Sequence, residues 1–161
     1  MEKEEAKTES LDQEANHVIE EARMVLPGIQ TLFGFQLIAV FNSRFETAFV
    51  PVDQYLHLAA LVLVALAIVL IMTPAAYHRQ AERGLVSRYF TDLASRLLTA
   101  ALAPLLLAIV LEVFLVCKII LKTTPVSALI AAGLFAVFAW SWFVFPRLKA
   151  KHRPNQATRR P

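Results

Sequence analysis

A chain of 161 residues has the length of one soluble domain, but 57% apolar residues against 18% charged, with a mean hydropathy of +0.54, is not a soluble balance. Charge is dense at 1–23, 79–96 and 147–161, and the stretches between are long enough to cross a hydrocarbon core about 30 Å thick, which excludes a disordered chain and points to a small polytopic membrane protein. The single cysteine, Cys117, excludes an intrachain disulfide, and four scattered histidines make no local metal motif, so neither a metal nor a cofactor is expected.

Residues 1–23 hold eight acidic side chains against Lys3, Lys7 and Arg23, and they do not open on the basic, then apolar, pattern of a secretory signal. Leu11, Ala15, Val18 and Ala22 recur at helical spacing, and Ser10 with Gln13 fits a capping box. Two readings stand: a short amphipathic helix lying on the membrane or the bundle, or a frayed polar terminus. A four-helix transmembrane domain is then expected over 24–147, followed by a basic tail over 148–161.

The first span runs over about 26–47, with Pro27 in its first turn, where the missing N–H has no helical partner anyway. Its outer part, Phe41-Asn42-Ser43-Arg44-Phe45-Glu46, is more polar than a lipid-facing helix should be. The second covers about 55–76 around the apolar run Leu58–Met72. The third, about 96–120, contains Pro104 and Glu112; the fourth covers about 125–145. The fold class predicted is therefore all-α, an up-down bundle of four transmembrane helices.

Orientation follows from lysine and arginine placement. Thirteen of the sixteen fall before the first span, between the second and third, or in the tail, and only Arg44, Lys118 and Lys122 lie opposite. Both termini are thus expected on the cytoplasmic side of a bacterial inner (plasma) membrane, with Tyr77, Trp140, Trp142 and Phe143 near the inner interface.

Glu21-Ala22-Arg23, then Leu26-Pro27-Gly28-Ile29-Gln30-Thr31-Leu32-Phe33-Gly34-Phe35-Gln36-Leu37, resembles an uncharacterised family of small bacterial membrane proteins, domain of unknown function 6328. Phe41 and Phe45 flanking Arg44, and Pro74-Ala75-Ala76-Tyr77-His78-Arg79, are similar to the rest of its signature, so the likeness covers roughly residues 20–80. The resemblance implies a four-helix membrane protein with no established activity. Some members carry a sodium/proton antiporter label, but this chain is far shorter than the large antiporters with their inverted repeats and broken helices.

Glu112 is the sharpest candidate for chemistry, since a carboxylate inside a span costs at least a few kcal/mol and is by default a functional-site hypothesis. Ala101, Ala108 and Glu112 lie within about 40° on a helical wheel, and small residues mark closely packed faces, so Glu112 is expected to point into the bundle. The alternative is a carboxylate that snorkels outward or pairs for structural reasons. By depth its partners are Arg44, which would hold it ionised, or His57, which would make a titrating pair suited to proton relay. Asn42, Gln36 and Gln30 offer further polar groups but do not share one face, and interhelical glue is the simpler account of them.

Arg79, Arg83, Arg88, Arg96, Arg147 and Lys149 form a basic interface suited to anionic headgroups, and Asp92 sits one turn from both Arg88 and Arg96. Docking of the acidic terminus against the basic tail is an equally simple use of these charges. Nucleic acid is not an expected partner, because the charges flank spanning helices. No phosphate-cradling glycine loop, His-Glu-x-x-His, Cys-x-x-Cys or Gly-x-Ser-x-Gly is present, and no enzymatic activity is expected. The polar set Asn42, Arg44, Glu46, His57 and Glu112 suggests a small oligomeric channel or transporter, or a subunit of one, for ions or protons. Its rival is a structural or accessory protein acting through its charged segments. Ala128, Ala132, Ala136 and Ala139 offer the fourth helix a stripe for self-association into a homo-oligomer.

Overall fold

The computed structural model describes residues 2–43, 45–81 and 86–151, and the described residues are all helix, turn or coil. Helix α1 spans Glu2–Val40, a short α2 covers Phe45–Ala48, and α3 runs Pro51–Ala81. Helix α4 spans Arg88–Leu121 and α5 Thr124–Ala139, which continues through a π-helical segment, Trp140–Val144, into α6, Phe145–Lys151. Four of these helical stretches are long and apolar enough to cross a membrane: Gln13–Val40, Pro51–Ala81, Arg88–Leu121 and Thr124–Lys149.

The first helix departs from expectation at both ends. The acidic segment is neither frayed nor a separate short helix, because α1 is continuous from Glu2 through Pro27 to Val40. Pro27 thus sits in a helix interior, a placement membrane helices tolerate because neighbouring groups satisfy the freed backbone. Thr31 Oγ1 donates to the Pro27 carbonyl at 2.8 Å. At the other end α1 stops at Val40 and not near Thr47. Asn42 and Ser43 favour turns over helix, and the Asn42 carbonyl accepts from Phe45 N at 2.9 Å to start α2. The second span begins earlier than expected, with Pro51 at the first helical position and Asp53 in the first turn, where an anion suits the helix dipole.

Along α3 the buried residues are Asp53, His57, Ala60, Val64, Ala67, Ile71 and Pro74, an unbroken four-three alternation. That is the seam of two helices packed at a shallow angle. Its facing seam on α4 includes Ala94, Ala101, Leu105, Ala108 and Leu115. Ala60, Ala67 and Ala108 are all fully buried, and their small side chains let the two backbones approach closely. Tyr77 meets Tyr89 and His78 meets Phe90 at one end, whereas Asp53 meets Lys118 at the other, so α3 and α4 are antiparallel. Helix α1 lies over both and closes the core with Ile29, and α5 packs back along α4 with only Ser127 and Ala131 buried.

Internal prolines mark all three core helices: Pro27 in α1, Pro74 in α3 and Pro104 in α4. The α4 start is fixed by Ser87, whose Oγ accepts from Phe90 N at 3.1 Å. Ser87→Ala should therefore cost about 1 kcal/mol, read as a lower unfolding temperature of the solubilised protein. The α4–α5 connection is tight: Lys122 adopts φ 54° and its N–H bonds the Lys118 carbonyl at 3.0 Å before Pro125 opens α5.

Candidate functional site

The polar groups of the core collect at the end where α1 finishes, α3 begins and α4 finishes. His57 is buried on the α3 seam, about 9 Å along the helix from Pro51. Its Nδ1 lies 2.9 Å from Glu112 Oε1, and its Nε2 lies 3.1 Å from the main-chain carbonyl of Gln36. The Gln36 side chain is buried as well, and its Nε2 donates to the same Glu112 Oε1 at 2.9 Å. Three helices are thus tied at one carboxylate.

The chemistry follows from donors and acceptors. A carbonyl oxygen only accepts, so the hydrogen that faces Gln36 must sit on His57 Nε2. A second proton on the pair would sit on Nδ1 or on the Glu112 carboxyl. With it the pair is neutral overall; without it the pair carries one negative charge. Gln36 Oε1 is buried and finds no hydrogen-bond donor among the described residues.

One turn closer to the helix ends, Lys118 Nζ donates to both Asp53 oxygens, at 2.7 and 2.9 Å. The Asp53 side chain is 6% exposed and that of Lys118 29%, so the carboxylate is enclosed while the ammonium reaches outward. Asp53 and His57 share the α3 seam, four residues apart, and this ion pair stands directly above the His57–Glu112 pair. Two rings wall the histidine: Phe45 approaches edge-on with centroids 5.4 Å apart, and Phe49 stacks at 6.3 Å. Phe45 opens α2 and Phe49 follows its last residue.

Of the residues singled out from sequence, Glu112 and His57 come together, and Ala101 and Ala108 on the Glu112 face are buried. Asn42 is exposed in the turn after α1. Arg44, Arg83 and the tail from His152 lie outside the described residues. Arg79, Arg88, Arg96, Arg147 and Lys149 are exposed and gather at the opposite end of the bundle. Sequence reasoning missed Asp53 and Lys118 and undervalued Gln36. The signal for Gln36 was present: Ala15, Ala22, Ile29 and Gln36 recur every seventh residue and are the covered stripe of α1. Among the described residues no three His, Cys, Asp or Glu side chains converge as metal ligands.

Helices of this length and composition, with ionisable groups buried between them, define a multi-pass membrane protein. The chain belongs to the family of unknown function DUF6328, whose model matches residues 4–146. That match reaches beyond the 20–80 stretch that carries the visible resemblance and takes in α4 and α5. No curated protein and no solved structure matches the chain.

Proposed function

We propose that the protein is a non-enzymatic subunit of a small oligomeric channel or transporter for protons or ions in a bacterial inner membrane, with both termini cytoplasmic. The observation that carries this reading is the 2.9 Å contact between buried His57 and Glu112, a pair able to take up and release one proton inside an otherwise apolar bundle. Lys118 and Asp53 guard its approach from the nearer end. Self-association is supported by α5, where Ala128, Ala132 and Ala136 face outward and only Ser127 and Ala131 are covered. The thirteen-to-three division of lysine and arginine supports cytoplasmic termini.

Flux into proteoliposomes loaded with a pH-sensitive dye tests the proposal. Proton flux that falls to the protein-free baseline in Glu112→Gln supports it. That substitution keeps the shape and a hydrogen bond to Gln36. Absence of flux for protons, sodium, potassium and chloride in the parent protein overturns it. A structural or accessory role is the second reading, favoured by one specific fact: the cluster joins α1, α3 and α4 at a single oxygen. On that reading variants of the cluster lose stability, and no flux exists to lose.

A further inference from the structure

At the basic end, α4 and the segment that follows α5 leave a groove between them. Its upper part, about 360 Å³, has Arg96 and Arg147 at its rim with Ser95 and Thr99 beside them. The lower part, about 240 Å³, is walled by Leu106, Leu107, Phe135 and Ala139. Ala103 and Phe143 border both parts, so the two adjoin, basic above and apolar below. The two arginines come from different helices. Neither forms an ion pair with a described residue, although Asp92 stands one turn from Arg96. Arg147 instead lies over the Phe143 ring, 6.0 Å from its centroid.

We propose that this groove binds one anionic phospholipid, with its phosphate between Arg96 and Arg147 and one acyl chain along the α4–α5 seam. Length supports a lipid over a free anion. From Arg96 to Leu107 the groove descends eleven residues of α4, about 16 Å at 1.5 Å per residue, which is half of a hydrocarbon core about 30 Å thick and so the depth of one leaflet. Charge supports an anionic headgroup: two arginines line the upper part of the groove, and no carboxylate lines either part. Leu107 and Phe135, 43% and 44% exposed, present apolar surface to a chain and none to a soluble phosphate. A basic pocket between helices at the headgroup level is a recognised way to hold such lipids. The inference is independent of the transport reading, since the groove lies at the end of the bundle opposite His57 and Glu112.

Native mass spectrometry of the full chain in mild detergent, with phosphatidylglycerol and phosphatidylcholine of identical acyl chains, tests it. The parent protein should retain one phosphatidylglycerol per chain in preference to phosphatidylcholine. Arg96→Gln with Arg147→Gln should weaken that preference by about 25-fold, since each arginine near the surface contributes about a factor of five. Arg79→Gln with Arg88→Gln, which removes as much charge from the same end but outside the groove, should weaken it distinctly less. Ala103→Phe fills the exposed middle of the groove with both arginines kept, and should displace the lipid even if the arginine variant fails to fold. Equal retention of the two lipids, equal loss in the Arg79/Arg88 variant, retention in Ala103→Phe, or displacement by inorganic phosphate alone would each overturn the proposal.

Discussion

Glu112→Leu and His57→Leu are each expected to destabilise the solubilised protein by about 2–4 kcal/mol, and the double substitution by much less than the sum. Truncating Glu112 leaves the Gln36 amide without its acceptor and His57 Nδ1 without the carboxylate 2.9 Å away. Losing His57 strands the carboxylate beside a single amide donor. Leucine at both positions removes the polar groups together and leaves only Gln36 to be accommodated. The 18% exposure of the Glu112 side chain places the expected cost below that of a fully enclosed pair. Thermal unfolding of the four proteins in one detergent gives the coupling directly, and strict additivity would mean that the contact carries no energy.

Lys118→Met should cost about 2–3 kcal/mol, because it leaves an enclosed carboxylate with no counter-charge. Asp53 is the buried member and Lys118 the exposed one, so the penalty falls on the lysine variant more than geometry alone suggests. Asp53→Asn added to Lys118→Met removes the stranded charge and should recover most of the loss, with Lys118→Arg near the parent value. Unfolding temperatures of the three variants decide it. A Lys118→Met protein as stable as the parent would show that Asp53 is hydrated from the open end.

Much of the architecture was legible before any coordinates. Hydropathy set the number of spans, and the Ala101–Ala108–Glu112 face set which way the carboxylate points. The four-three spacing from Asp53 to Pro74 was also present, yet a charge at its start reads as loop until the helix is known to begin at Pro51. Lys118 was hidden for a different reason. Pairing it with Asp53 depends on the register of α3 against α4, which the packing of Ala60, Ala67 and Ala108 fixes and no local pattern reports. Propensity misjudged α1 because a proline and a change from charged to apolar residues resemble a helix boundary, whereas no strong breaker lies between Glu2 and Val40 besides Pro27.

The three internal prolines give the bundle a distribution of stiffness. Each lacks the N–H that would bond the carbonyl four residues earlier, on Arg23, Leu70 and Ala100, so bending there sacrifices no further backbone hydrogen bond. Pro27 stands about 14 Å below Gln36, Pro104 about 12 Å below Glu112, and Pro74 about 25 Å below His57 along their helices. All three compliant points therefore lie on the same side of the polar cluster, between it and the basic end. The helical segments that carry Gln36, His57 and Glu112 are held to one another at the shared carboxylate. A bend at any of the three prolines would leave the hydrogen bonds of the cluster intact.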